Sequence, residues 1–496
     1  GDVVPKLIVV SNRLARPAGA TAPGGLATAL SQVLRSHGGM WVGWGGRLVD
    51  TESATGIELT RHDGVGYAEL TLQRSVFVPY YEGYANGVLW PVLHARPDLM
   101  EHRQTDFLAY RRMNRFFAEM THSLVRHADT IWVHDYHLLP LASELRAWGI
   151  DNQIGFFLHV PFPTPDIARA LPECDLLVSA LAAYSLVGVQ TERDRANLST
   201  LLEQDYGAVQ IDADRWHVLG SELKIKAFPI GVDHDAIRRA ATRPSDPSTA
   251  EFLLRLKRRA GHKLVAGIDR LDYAKGLIEK LSAVDALLSQ WPALTATTSI
   301  LQIAALSREK VPAYQQLREK VEQASGRING QHASLLHQPL MFLTRSLPHE
   351  DVLHVLAQSD VALVTPLMDG MNLVAKEYVA AQDPEDPGVL VLSRFAGAAE
   401  QMEGALLVNP HDTRRTAEAL HKALHMPRRE RISRYSKMMN VVDRTNVNQW
   451  ARTFVDTLRA AGKSLPVAGP LAAMARKQEP SPLSSEGPPV RIEQTL

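Results

Sequence analysis

The sequence predicts an α/β protein of two Rossmann-like domains, each a parallel sheet with helices on both faces, facing each other across a deep cleft. Three observations lead there. Short β-branched runs alternate with helical patterns along most of the chain, as strand–helix units of a parallel sheet do. The runs fall into two series, parted by the polar, proline-containing stretch "RPSDPST" (243–249). The chain has 496 residues, enough for about two to four domains rather than one core.

The first series opens with "KLIVVS" (6–11), a buried strand, and "GGLATALSQVLRS" (24–36), a helix. Phe107, Tyr110, Phe117, Met120 and Leu124 recur at helical spacing and predict a long amphipathic helix over 106–127. "TIWVHD" (130–135), "IGFFLHV" (154–160) and "LVGVQ" (186–190) read as strands, and "KIKAFPIGVD" (224–233) closes the half. The second series has strands "KLVAGID" (263–269), "TTSILQIA" (297–304), "MFLT" (341–344), "VALVT" (361–365) and "GVLVLS" (388–393). The expected domains are 1–235 and 236–445. A helix in 446–464, "VNQWARTFVDTLRAAG" (447–462), is expected to pack back on the first domain. The stretch 465–496 is rich in Pro, Ser and Gly and reads as a flexible tail.

Composition excludes several classes. Hydrophobic residues make up 45% and charged residues 22%, a globular profile. The formal net charge is zero, which argues against nucleic-acid or anionic-membrane partners. The single cysteine, Cys174, allows no intrachain disulfide and points to a reducing compartment. The apolar run in "GDVVPKLIVVSNR" is too short for a signal-peptide core, and no stretch reaches the roughly 18 apolar residues that span a bilayer. A cytoplasmic protein is expected. Neither series carries G-x-G-x-x-G after its first strand, nor is there a P-loop, so a dehydrogenase or P-loop NTPase is disfavoured.

In such sheets ligands sit at the carboxyl ends of the strands, and that is where the polar residues gather. Arg13 follows the first strand, and "PGGL" (23–26) precedes its helix, a turn that suits either an anion or an ordinary loop. "WVHDYHLLP" (132–140) puts His134, Asp135 and His137 at a strand end. A metal there needs three or four convergent ligands, and no acidic or Cys partner stands at a recognisable spacing; Asp135 binding a sugar hydroxyl is favoured. His159 in "FFLHVPFPTP" (156–165) reads as either a cleft residue or a core histidine. Arg270 and Lys275 in "GIDRLDYAKGL" (267–277) suit a diphosphate or a solvated loop, and Arg308 in "AALSREK" (304–310) suits a phosphate.

"PLMDGMNLVAKEYVAAQ" (366–382) reads as a strand end, a tight turn and a helix capped by Asn372. The free N–H groups of its first turn favour negative charge. Glu377 on this apolar helix requires a partner. Adjacent Lys376 does not face it, which leaves sugar hydroxyls or a structural salt bridge to an arginine.

Together these residues resemble the retaining glycosyltransferases of the GT-B architecture, and more closely glycosyltransferase family 20, the trehalose-6-phosphate synthases. The motifs are "SNR", "GGL", "GWGG", "YYEGYANGVLWP", "HDYHLLP", "HVPFPTP", "DRLDYAKGL" and "DGMNLVAKEYV", in matching order and spacing from about Leu7 to Gly462. The resemblance implies that Arg13, Tyr81, Trp90 and Arg308 hold glucose 6-phosphate, with Asp135 on its hydroxyls and Trp44 lining the sugar site. Tyr81 is chosen over Tyr80 because the family's tyrosine lies nine residues before the tryptophan. Gly25, Arg270 and Lys275 would meet the donor diphosphate, and His159 and Asp369 the donor glucose. Asn372, Leu373 and Val374 would contact glucose and phosphate through their backbone, Glu377 the ribose and Leu347 the base. Arg270, Lys275, Asp135 and His159 are the implied catalytic set. The family's "GWSG" is "GWGG" here, with Gly45 in place of a serine.

The implied reaction transfers glucose from a nucleoside diphosphate glucose, UDP- or ADP-glucose, to the anomeric hydroxyl of glucose 6-phosphate. No carboxylate is an obvious nucleophile, so same-face attack through an oxocarbenium-like ion is expected instead of the double displacement of retaining hydrolases. No metal or cofactor is required on this reading, and a homo-oligomer, dimer or tetramer, is expected. The alternatives are another phosphorylated acceptor such as glycerol 3-phosphate, a nucleotide-sugar epimerase, and a non-catalytic sugar-phosphate sensor.

Overall fold

The computed structural model describes residues 6–15, 25–243 and 246–462. The stretch 465–496 lies outside the described residues, as do Pro23 and Gly24 of the "PGGL" turn.

Two sheets carry the two series. The first has ten strands in the spatial order Gly56–His62, Val65–Gln73, Met40–Val49, Leu7–Arg13, Thr130–His134, Ile154–Phe157, Leu186–Val189, Ser221–Ala227, Arg215–Val218 and Val209–Gln210. Its middle is parallel, from Val65–Gln73 across to Ser221–Ala227. Residues 7–10, 131–133 and 154–157 are buried on both faces, which is why these strands read as continuous apolar runs. The second sheet is wholly parallel, in the order Leu340–Leu343, Thr298–Ala305, Lys263–Arg270, Val361–Val364, Val389–Ser393 and Leu406–Val408.

The first sheet departs from the expected all-parallel form at both edges. Gly56–His62 pairs antiparallel with Val65–Gln73, and Arg215–Val218 with Ser221–Ala227. Each hairpin turns on two residues with positive φ, Asp63 (49°) and Gly64 (79°) in one, Leu219 (50°) and Gly220 (80°) in the other. Two such residues form the tight turn whose twist matches paired strands. Asp-Gly is a readable signal for that turn; Leu-Gly is not.

The long helix runs Gln104–Leu124, with Phe107, Tyr110 and Phe117 buried and Met120 and Leu124 half-buried. The last helix, Val447–Ala460, lies on the first sheet. Trp450 Nε1 donates to Phe228 O at 2.9 Å, and Phe454 stacks on Trp132 with centroids 4.4 Å apart. Strand glycines make room for it: a Cβ on Gly155 or Gly188 would stand 2.9 or 2.7 Å from the Phe454 ring. Among the described residues no helix is long and apolar enough to cross a membrane.

Candidate active site

Both sheets turn strand carboxyl ends toward one cleft, where two adjoining cavities open. The larger, about 480 Å³, is lined by Arg13, Tyr81, Asp135, His137 and His159 among others. The second, about 440 Å³, is lined by Arg270, Lys275, Leu347, Asp369, Asn372 and Val374. His159, Leu26 and Leu373 border both, so His159 stands at the junction.

On the first side, Arg13 ends its strand with its guanidinium 5.1 Å from the Trp44 ring. Trp44 packs on Phe77 (4.3 Å), Phe77 stacks on Tyr81 (5.2 Å) and Tyr81 on His137 (5.8 Å). Tyr81 lies in an eleven-residue π-helix, Pro79–Leu89, which leads directly into Trp90. Nine residues on an α-helix span two and a half turns and would put Tyr81 and Trp90 on opposite sides. The wider π turn brings nine residues close to two full turns. Both rings accordingly reach the same loop, Tyr81 against His137 and Trp90 against Tyr136 (5.8 Å).

Asp135 has φ 74° and accepts from His159 N–H at 3.2 Å. Burial lifts its carboxyl to about 7, although the N–H groups of His159, Tyr136 and Val160 and the Arg308 charge pull the other way. His159 Nε2 and His134 Nδ1 share a hydrogen bond at 3.0 Å. Burial lowers His159 to about 3 and His134 well below its usual value, so both are neutral near pH 7.

On the second side, Lys275 Nζ donates to Asp369 Oδ2 at 2.5 Å and Asn372 Nδ2 to the same oxygen at 3.1 Å. Burial would raise Asp369; the Lys275 ion pair and the nearby His94 and Arg270 outweigh it and hold the carboxyl low. Asn372 caps the helix Leu373–Ala381, accepting from Ala375 N–H at 3.4 Å. Gly370 sits against the facing domain, where an added Cβ would lie 2.0 Å from the His159 carbonyl oxygen.

Arg308 and Trp90 join the halves. The Arg308 guanidinium lies 3.9 Å from the Trp90 ring centroid and Arg270 5.2 Å from it. Arg308 also donates to Tyr136 Oη at 3.3 Å and to Tyr314 Oη at 2.5 Å. Six non-glycine residues have positive φ among the described residues, and three of them, Asp135, Arg308 and Asn372, are cleft residues. Backbone strain concentrates where function holds it.

Besides Trp90 and Arg308, three expected residues stand apart from the walls of the two cavities. Gly25 begins the helix Gly25–Ser36, whose Leu26 borders both cavities. Trp44 stands behind Arg13. Glu377 lies one turn beyond Leu373 and stands 3.7 Å from His349, an imidazole whose pKa burial lowers, not from an arginine. Burial raises Glu377 to about 7. Lys376 turns away, as its position beside Glu377 requires, donating to Ile230 O (2.7 Å) and Gln401 Oε1 (2.8 Å). Glu69 fills the space beside Gly45; a Cβ there would lie 2.0 Å from Glu69 Oε1.

Sequence reasoning passed over Asp272, Tyr314, Tyr136 and His94. Asp272 follows Arg270 by two, the spacing that returns a side chain to one face of an extended chain, so it was readable. Tyr314 lies on the helix Pro312–His332 and carries no motif signal. Among the described residues no group of three or more His, Cys, Asp or Glu could hold a metal ion.

The model of glycosyltransferase family 20 matches residues 12–460. The trehalose-6-phosphate synthase of Klebsiella pneumoniae is 42% identical over 455 residues, 92% of this chain and 95% of that one. An α,α-trehalose-phosphate synthase (UDP-forming) from Burkholderia xenovorans, in complex with glucose-6-phosphate, superposes with TM-score 0.86 at 40% identity, covering 92% of this chain and 100% of that one. An E. coli structure named for trehalose-6-phosphate and bound with UDP-2-fluoro glucose gives TM-score 0.88 at 40% identity, with 92% and 100% covered. The two-sheet architecture is that of these structures, the GT-B fold, and the chain belongs to glycosyltransferase family 20.

Proposed function

We propose that the protein is a retaining α,α-trehalose-6-phosphate synthase, moving glucose from a nucleoside diphosphate glucose to the anomeric hydroxyl of glucose 6-phosphate and releasing the nucleoside diphosphate. The observation that carries this is the pair of adjoining cavities with His159 at their junction, one walled by Arg13, Tyr81 and Asp135, the other by Arg270, Lys275 and Asp369. UDP-glucose is the donor we favour, because the Burkholderia relative is named UDP-forming and the E. coli structure holds a UDP-glucose analogue; ADP-glucose is the alternative.

On this reading Arg13 and Arg308 take the acceptor phosphate, Tyr81, Trp90 and Trp44 flank the sugar ring, and Asp135 accepts from its hydroxyls. Arg270, Lys275 and the N–H groups opening the helix Leu373–Ala381 neutralise the diphosphate as it leaves. Gly25 approaches that diphosphate through its backbone. His159 and Asp369 orient the donor glucose, Leu347 flanks the base and Glu377 takes the ribose hydroxyls. The acceptor attacks on the face the diphosphate leaves, and a leaving phosphate oxygen takes its proton. The protein supplies orientation and fixed charge.

The test is to incubate the enzyme with UDP-, ADP- and GDP-glucose, with and without glucose 6-phosphate. Nucleotide release that requires glucose 6-phosphate supports the reading. Release without any acceptor, or with glycerol 3-phosphate alone, contradicts it.

A further inference from the structure

We propose that Asp272 is a positioning residue that ties the donor and acceptor halves of the cleft together, its buried carboxylate facing Arg270 and Arg308 and capping the turn that carries Lys275, with Tyr314 as its link to Arg308. The inference rests on the glucosyl-transfer reading of the same cleft.

Asp272 is fully buried, yet its carboxylate faces two arginines and caps the turn that carries Lys275. Oδ2 lies 3.6 Å from Arg308 and 3.9 Å from Arg270, and accepts from Tyr314 Oη at 3.0 Å. Oδ1 accepts from Ala274 N–H at 2.9 Å, and Lys275 N–H donates to the Asp272 carbonyl at 3.0 Å. That pair of bonds fixes the short 3₁₀ turn Tyr273–Lys275, which presents Lys275. Tyr314 accepts from Arg308 while donating to Asp272, so its hydroxyl has one orientation that satisfies both. Arg308 also sits at φ 48°, a conformation that needs outside support.

Asp272 lies behind the cations, so its loss has a sign opposite to that of a substrate ligand. Removing its charge leaves the arginines less neutralised. Anionic ground states then bind more tightly, while the cations lose the anchor that aims them and turnover falls.

The test measures turnover per active site and the affinities of nucleoside diphosphate and glucose 6-phosphate, each by calorimetry, in Asp272→Asn and Tyr314→Phe. Asp272→Asn is expected to bind both ligands at least three-fold more tightly and to turn over at least ten-fold more slowly. Tyr314→Phe keeps the charge and loses the link. It is expected to weaken glucose 6-phosphate at least three-fold with nucleotide affinity unchanged, and it decides alone if Asp272→Asn does not fold. Unchanged or weaker binding of either ligand by Asp272→Asn overturns the inference. So does a Tyr314→Phe enzyme in which both affinities move alike or neither moves. A wild-type enzyme without acceptor-dependent nucleotide release overturns the transfer reading itself. Normal wild-type transfer beside unaltered Asp272→Asn affinities overturns this inference alone.

Discussion

Lys275 Nζ donates to Asp369 Oδ2 at 2.5 Å, joining the turn after one strand to the loop after another at the wall of the cavity that Arg270 and Leu347 also line. Each side chain is only 15% exposed, so the pair works in a weakly screened setting. Lys275→Ala is expected to remove about 3 kcal/mol of transition-state stabilisation, a fall in kcat on the order of a hundred-fold. Arg270→Ala is expected to act alike. Steady-state kinetics at saturating substrates checks this; near-wild-type turnover contradicts the assignment.

Arg308 meets Trp90 face-on and reaches two tyrosine hydroxyls, a geometry that a planar guanidinium makes and an ammonium does not. Arg308→Lys is expected to raise KM for glucose 6-phosphate about ten-fold or more, the order of magnitude for losing one charge-assisted hydrogen bond. Nucleotide affinity is expected to stay within about two-fold. Separate titrations of the two ligands decide it.

Glu377 carries a pH signature. Burial raises its folded carboxyl from the ordinary value of 4.5 to about 7. The folded state therefore holds a proton that the unfolded chain has lost in that window, and stability falls as pH rises from about 4.5 through 7. Asp135, lifted to about 7 as well, adds to the same slope. Glu377→Gln is expected to flatten part of this slope and to be more stable than wild type at pH 8, by on the order of 1 kcal/mol. It is expected also to weaken nucleotide binding. Melting curves across pH with and without nucleotide read both effects. An unchanged pH dependence contradicts the buried, weakly partnered state of Glu377.

Gly370 sets how closely the domains meet. The methyl of Gly370→Ala would meet the backbone oxygen of His159, which cannot swing aside as a side chain would. The two domains are expected to stand apart slightly, with kcat reduced about a hundred-fold by misplacement of the reacting groups. The melting temperature is expected to change little, because widening the cleft relieves the clash. A variant with full activity contradicts the close approach.

The α/β class and most parallel strands were legible because buried strands leave continuous apolar runs such as "LIVV" and "VALV". The edge hairpins were harder, since Leu219–Gly220 carries no standard turn signal. Strand-end position picked out Arg13, Asp135, His159 and Arg270, since loops at that edge meet in one cleft. The aromatic pair needed more. Tyr81 and Trp90 share a face only because the chain between them is a π-helix, and no periodicity rule anticipates one. Tyr314 reaches Asp272 from 42 residues away, a contact of tertiary packing that motif reading does not contain.

The most direct test of the central claim is the anomeric configuration of the product formed from UDP-glucose and glucose 6-phosphate, read by the NMR coupling constants of its two anomeric protons. The account predicts an α,α-1,1-linked disaccharide phosphate, formed with one nucleoside diphosphate per bond. A β-configured product, a linkage through another hydroxyl, or nucleotide release with no disaccharide would contradict it.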